Sequence, residues 1–184
     1  MKKKLMLATA LLFASSAFAD EGFEPHFIAG LGVGHVTAEA SDDEFDLRFK
    51  GDDIAFRVFG GYQFTPYIST EVAYHNFGNV KDTIEGVNVG IKATAFEASV
   101  ILSTSTVDRP FGAFARLGYT AWDADLKASD GEDSESWSED GNDPTYGFGI
   151  WGQVENALLR LEYTRGEFED VDMDLISASV VWRF

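Results

Sequence analysis

The chain contains no cysteine. No disulfide can form, and no thiolate is available as a zinc ligand or nucleophile. Basic residues are scarce: 14 Lys and Arg stand against 31 Asp and Glu, for a formal charge of −17. A surface of that sign repels polyanions, which excludes nucleic acid as a partner. Helical periodicity is scarce too. After the first residues, no apolar run is long enough for a transmembrane helix. Three histidines, His26, His35 and His75, are scattered without metal-ligand spacing, so no metal or cofactor is expected.

The beginning of the chain indicates export. Met1 is followed by Lys2, Lys3 and Lys4, an apolar run from Leu5 to Phe13, and Ala17-Phe-Ala19. This is the layout of a cleaved signal peptide, with a charged start, a short apolar segment and a small-x-small cleavage site. The apolar segment is too short for a membrane anchor. Cleavage after Ala19 leaves residues 20–184, which is 184 minus 19, or 165 residues. Loss of three lysines takes the charge from −17 to −20. That length suits one domain.

What the chain does have is alternation. Glycine and phenylalanine are abundant, with 18 and 16 copies. Eight strands are predicted, over about 27–36, 54–64, 69–74, 89–102, 111–120, 145–155, 159–165 and 176–184. In the second, Ile54, Phe56, Val58, Tyr62 and Phe64 share one face, and Arg57 and Gln63 the other. The fifth sets Phe111, Ala113, Ala115, Leu117 and Tyr119 against Gly112, Arg116, Gly118 and Thr120. The last sets Ile176, Ala178, Val180, Trp182 and Phe184 against Ser177, Ser179 and Arg183.

The less apolar face carries Arg57, Glu71, Glu97, Arg116, Glu155, Arg160 and Glu162, each between apolar neighbours. A soluble sandwich buries its apolar face and turns charge to water. Here that arrangement would leave a broad apolar band unburied. The opposite arrangement, apolar out and charge in, is that of a transmembrane barrel. Eight strands enclose an interior that side chains just fill. Charges placed there must pair, because unpaired buried charge is very costly. Glycines on the same face give the long side chains room. Connections after strands two, four and six read as short, and the others as longer polar loops, matching periplasmic turns and external loops. Phe27, Tyr62, Phe64, Phe111, Trp182 and Phe184 fall at one end of the strands, and Phe56, Tyr74, Tyr119, Tyr146 and Tyr163 near the other, as two interfacial girdles. The expected fold is all-β: an eight-stranded antiparallel up-and-down transmembrane β-barrel.

Several segments carry a family resemblance. Gly60-Gly-Tyr-Gln-Phe64 followed by Ser69-Thr-Glu-Val-Ala-Tyr74, then Ala115-Arg-Leu-Gly-Tyr119, Gly147-Phe-Gly149 with Glu155, Arg160-Leu-Glu-Tyr163 and Val180-Val-Trp-Arg-Phe184 together resemble the OmpA-like and opacity-like small outer-membrane barrels. Each motif is loose by itself; their order and spacing are more specific. The resemblance implies a location in the Gram-negative outer membrane, among its lipid and lipopolysaccharide. It implies a salt-bridge network in the lumen, with Arg57, Glu71, Arg116, Arg160 and Glu162 as members. It also implies that Phe184, with Trp182 on the same face, is read by the barrel assembly machinery. The chain departs from the family in ending at the barrel, so a peptidoglycan-binding domain is not expected.

Acids concentrate in three stretches: seven in 39–53, nine in 123–143 and five in 167–174. These read as acidic external loops able to attract divalent cations, although 130–143 lacks EF-hand spacing. Trp137 stands in the middle of the second stretch. Gly147-Phe-Gly-Ile-Trp-Gly152 matches a dinucleotide fingerprint but lies within a strand and opens no helix. His75, placed near the outer rim, lies about 20 Å along the strand from Ser69, too far for a hydrolytic triad with Ser69 and Glu71. The sequence therefore favours a non-enzymatic surface or structural barrel with a plugged polar lumen. The alternatives are a small cation-preferring porin and an outer-membrane lipid hydrolase.

Overall fold

The computed structural model describes residues 23–184 apart from 43–46, 85–86, 106, 108, 130–133 and 169–170; side chains within 40–50, 80–89, 91 and 126–137 are also outside the description. The expected leader and the Trp137 side chain therefore lie outside the described residues. Eight strands run β1 His26–Asp42, β2 Leu47–Gln63, β3 Ile68–Ile84, β4 Val87–Ser103, β5 Phe111–Ser129, β6 Ser134–Val154, β7 Ala157–Phe168 and β8 Val171–Arg183. They close into one barrel in sequence order, each antiparallel to the next, and β8 pairs with β1. Closure leaves no unpaired sheet edge within the bilayer, the condition a β structure must meet in lipid.

Alternation is the reason the barrel is built inside out. Phe56, Val72, Phe96, Leu117, Phe148 and Ile176 point outward and are each at least 60% exposed. The residues next to them on the same strands, out of phase by one, point inward, and most of those are buried. The inner face also holds apolar side chains, in two clusters. One, at the short-turn end, joins Ile28, Phe59, Ala73, Ile101, Phe114, Trp151, Leu158 and Val181. The other, toward the opposite end, joins Val36, Ala55, Phe77, Ala95, Met173 and Leu175. The charged residues lie between the two.

The polar stretches differ from their expected form. Read as long external loops, 39–53 and 123–143 are mostly strand: β1 and β2 pair as far as Asp42 and Leu47, and β5 and β6 as far as Ser129 and Ser134. Strands of 17 to 21 residues in β1–β6 exceed the 9–11 that a tilted strand needs to cross a bilayer. The hairpins therefore project beyond it. Where both faces meet water, apolar alternation carries no advantage, and the strand signal disappears from the sequence. Pro144 fits the same account. The ladder between β6 and β7 starts at Thr145, so Pro144 pairs only with Tyr119 of β5, and its missing N–H faces a free edge. In β3 the register shifts between Asn76 and Asn79, at Gly78, whose φ of 75° suits glycine. The Asp53 carboxylate accepts from the backbone N–H of Asn79 at 2.6 Å and fastens this bulge to β2.

Candidate functional site

The middle of the lumen is organised around Arg116 of β5, which is 1% exposed. A guanidinium has five N–H donors, and all five are used here. Nη1 donates to Ser99 Oγ at 2.8 Å and to Glu97 Oε1 at 3.1 Å. Nη2 donates to Glu71 Oε2 and Glu162 Oε2, both at 3.1 Å, and Nε donates to Glu162 Oε1. One side chain thus links β5 to β3, β4 and β7 across the barrel.

Two further arginines complete the layer. Arg57 of β2 donates from Nη2 to Glu71 Oε2 at 2.8 Å and from Nη1 to Glu162 Oε2 at 3.3 Å. Arg160 of β7 donates to Glu71 Oε1. Glu71 therefore receives all three arginines. The layer also rests on the aromatic cluster at the short-turn end. The Arg57 guanidinium carbon stands 4.4 Å from the centre of the Phe59 ring, and that of Arg160 stands 5.4 Å from the Phe114 ring centre. Such cation–π contacts strengthen away from water.

The register explains how so many long side chains fit. Gly147 faces Arg116 across the β5–β6 ladder, and Gly61 faces Glu71 across β2–β3. A Cβ on Gly147 would come within 2.7 Å of the Tyr163 carbonyl and 3.3 Å of Glu162 Oε1. One on Gly61 would come within 3.0 Å of Glu71 Cγ. The glycines keep the space that the ion pairs occupy.

Six of the seven expected inner charges meet in this layer: Arg57, Glu71, Glu97, Arg116, Arg160 and Glu162. Glu155 does not. It lies in the two-residue turn between β6 and β7, is exposed, and has a φ of 52°. The expected strand six runs one residue past the observed end at Val154, and that one step of alternation places Glu155 inside. The correction changes the electrostatics: three arginines now face three glutamates, and their formal charges cancel. His75 is corrected in the other direction. Expected near the outer rim, it is 5% exposed, because β3 continues well past Tyr74. Its Nε2 lies 3.3 Å from Glu97 Oε2, and its ring stacks on Phe77 at 5.5 Å. The signal was available: His75 is in phase with Glu71 and Ala73.

The closed barrel, its inward charge and its outward apolar band fit a known family. The family model for the outer membrane protein beta-barrel domain matches residues 5–184. The chain belongs to that family. This small OmpA-like barrel resides in the outer membrane of Gram-negative cells. Outer membrane protein A of Shigella dysenteriae is 30% identical over 140 residues, covering 69% of this chain and 39% of that protein. The chain thus spans well under half the length of that relative. Among solved structures, Neisserial surface protein A superposes with a TM-score of 0.63 at 18% identity, covering 88% of this chain and 100% of that one. Ail of Yersinia pestis, in complex with the heparin analogue sucrose octasulfate, superposes with a TM-score of 0.58 at 16% identity, covering 86% and 99%. At those identities the two structures speak for the fold of this outer-membrane barrel alone.

Proposed function

We propose that the barrel is a non-enzymatic structural and surface element whose lumen is plugged by its own side chains. One observation carries this reading: Arg116 has all five donors bonded to groups on three other strands, in a charge layer held between two apolar clusters. A pore needs mobile, hydrated groups along its path. These groups are mutually bonded, and an apolar constriction on either side resists wetting. Catalysis has little support in the same layer. His75 faces Glu97 and Phe77, and Ser69 lies six residues back along β3.

The external rim supports a cationic partner. Asp52, Asp123, Asp125, Glu139 and Asp140 are exposed at that end. A rim of that sign draws divalent cations, and through them the phosphates of lipopolysaccharide. It opposes direct capture of a polyanion such as the one that Ail holds. At the opposite end, Phe184 is 76% exposed on the lipid-facing side and is the proposed contact for the barrel assembly machinery, with Trp182 beside it. Removing Phe184 is expected to cut the folded, membrane-inserted fraction several-fold while export to the periplasm continues. Fractionation of the envelope checks this, and normal insertion of the shortened chain would refute the signal.

Planar-bilayer recording tests the plugged lumen. The unmodified protein should give no steady current, or only rare small openings. A large, stable, cation-selective channel would move the reading to a small porin.

A further inference from the structure

Five buried side-chain nitrogens lack a hydrogen-bond partner among the described residues: Arg57 Nε, His75 Nε2, His26 Nε2, Arg183 Nε and Arg183 Nη2. The first two belong to the central layer, where Arg57 makes other ion pairs and His75 Nε2 faces Glu97. The remaining three gather in one place. His26 is the first residue of β1 and Arg183 the last of β8, the two strands that close the barrel. Arg183 pairs with Ile28, two residues from His26, so the two side chains are diagonal neighbours on the inner face. His26 Nδ1 is held against the Glu24 carbonyl at 2.8 Å, which fixes the ring and leaves Nε2 unpartnered.

The orphaned atoms of Arg183 are a matched pair. Nε and Nη2 form one edge of the guanidinium, the fork that takes two oxygens of an oxyanion side by side. The site is at the periplasmic rim, level with Phe27 and Phe184, which are 66% and 76% exposed to lipid. Interfacial aromatics of this kind sit at headgroup depth. The oxyanion abundant at that depth is phosphate.

We propose that the periplasmic rim at the β1–β8 closure is a phosphate subsite, in which the Nε/Nη2 edge of Arg183 binds two phosphate oxygens beside His26. Its source is either free phosphate or the headgroup of an inner-leaflet phospholipid whose chains lie along the Phe27 and Phe184 side of the wall. The site lies at the opposite end of the barrel from the acidic rim and does not depend on whether the lumen conducts.

The test uses the full chain folded in maltoside micelles, which carry neither charge nor phosphate, with 15N-labelled arginine and histidine. Inorganic phosphate in one titration, and short-chain phosphatidylglycerol in another, should shift the Arg183 Nε–H resonance saturably. Arg165, already paired with Asp172 and Asp174, should not respond in parallel. Arg183→Lys keeps the charge but removes the fork, and should weaken the response read at the His26 ring at least tenfold. Saturation at lower concentration with the lipid assigns the subsite to a headgroup; equal or tighter response to inorganic phosphate assigns it to the free ion. The proposal is overturned if neither ligand moves Arg183, or if Arg165 moves with it. It is overturned too if Glu155→Gln shifts Arg183 while phosphate does not, since the neighbouring turn then closes the fork.

Discussion

Arg116→Ala is expected to lower the urea midpoint of the folded barrel more than any other single substitution in the lumen. The side chain is essentially inaccessible, and its removal strips partners from Glu71, Glu97 and Glu162 together. Breaking one side of a buried ion pair costs about 3–5 kcal/mol, because the remaining charge stays desolvated. The loss should fall near the upper part of that range, since the balance of three arginines and three glutamates becomes a net negative layer. Glu155→Gln is the matched control. Glu155 is a strand-six acid by sequence pattern but an exposed turn residue in the structure, so its replacement should stay within about 0.5 kcal/mol. The double variant Arg116→Ala/Glu162→Ala should cost less than the sum of the two single changes, with a coupling on the order of 1–3 kcal/mol. Urea unfolding in detergent or vesicles of the unmodified protein, the two single lumen variants, their double and Glu155→Gln measures all of these shifts. A negligible shift for Arg116→Ala would mean that water reaches the layer and that the charges are not held in a dry interior.

Much of this arrangement was legible because a bilayer makes two demands at once. The lipid-facing side must be apolar, and the inner side must be small or polar enough to fit. Where both apply, the period of two is nearly unbroken, and strands such as 111–120 and 176–183 could be read residue by residue. The reading failed where one demand lapses. Above the membrane the β5–β6 hairpin is exposed on successive residues at 138–140, so nothing in 123–143 marks it as strand. At the β6–β7 turn, alternation continues by chance through Val154 to Glu155, and only the backbone geometry shows that the strand has ended. His75 was missed because its strand was cut short, although its phase with Glu71 was visible. Pairing partners are a separate matter. Alternation says that Arg57, Arg116 and Arg160 face inward; it does not say that all three converge on the one carboxylate of Glu71. That depends on register and barrel closure, which bring β2, β5 and β7 onto β3 across the lumen.

The two apolar clusters change what opening the barrel would require. If the ion pairs alone closed the lumen, Arg57→Ala with Glu71→Ala would remove both charge and bulk and let current pass. In the structure that pair lies between Phe59, Phe114 and Trp151 on the periplasmic side and Val36, Phe77, Met173 and Leu175 on the outer side. An apolar constriction blocks ions by excluding water even when it is not sterically tight. The double variant should therefore be less stable, with Arg116 and Arg160 left short of a partner, yet should conduct no better than the unmodified protein. Adding Phe59→Ala and Phe77→Ala removes an aromatic from each apolar layer, and steady conductance should appear only in that fourfold variant. Its current should prefer cations, because the acids of the outer rim raise the local cation concentration at the mouth. β-rich circular dichroism and the retarded or advanced gel migration of an unheated sample would establish that the variant is still a closed barrel before any current is interpreted. Cation-selective conductance in the double charge variant alone would show that the charge layer is the barrier and that water already crosses both apolar clusters. No current from the folded fourfold variant would place the barrier in the residues that remain, with Phe114, Trp151 and Met173 next in line.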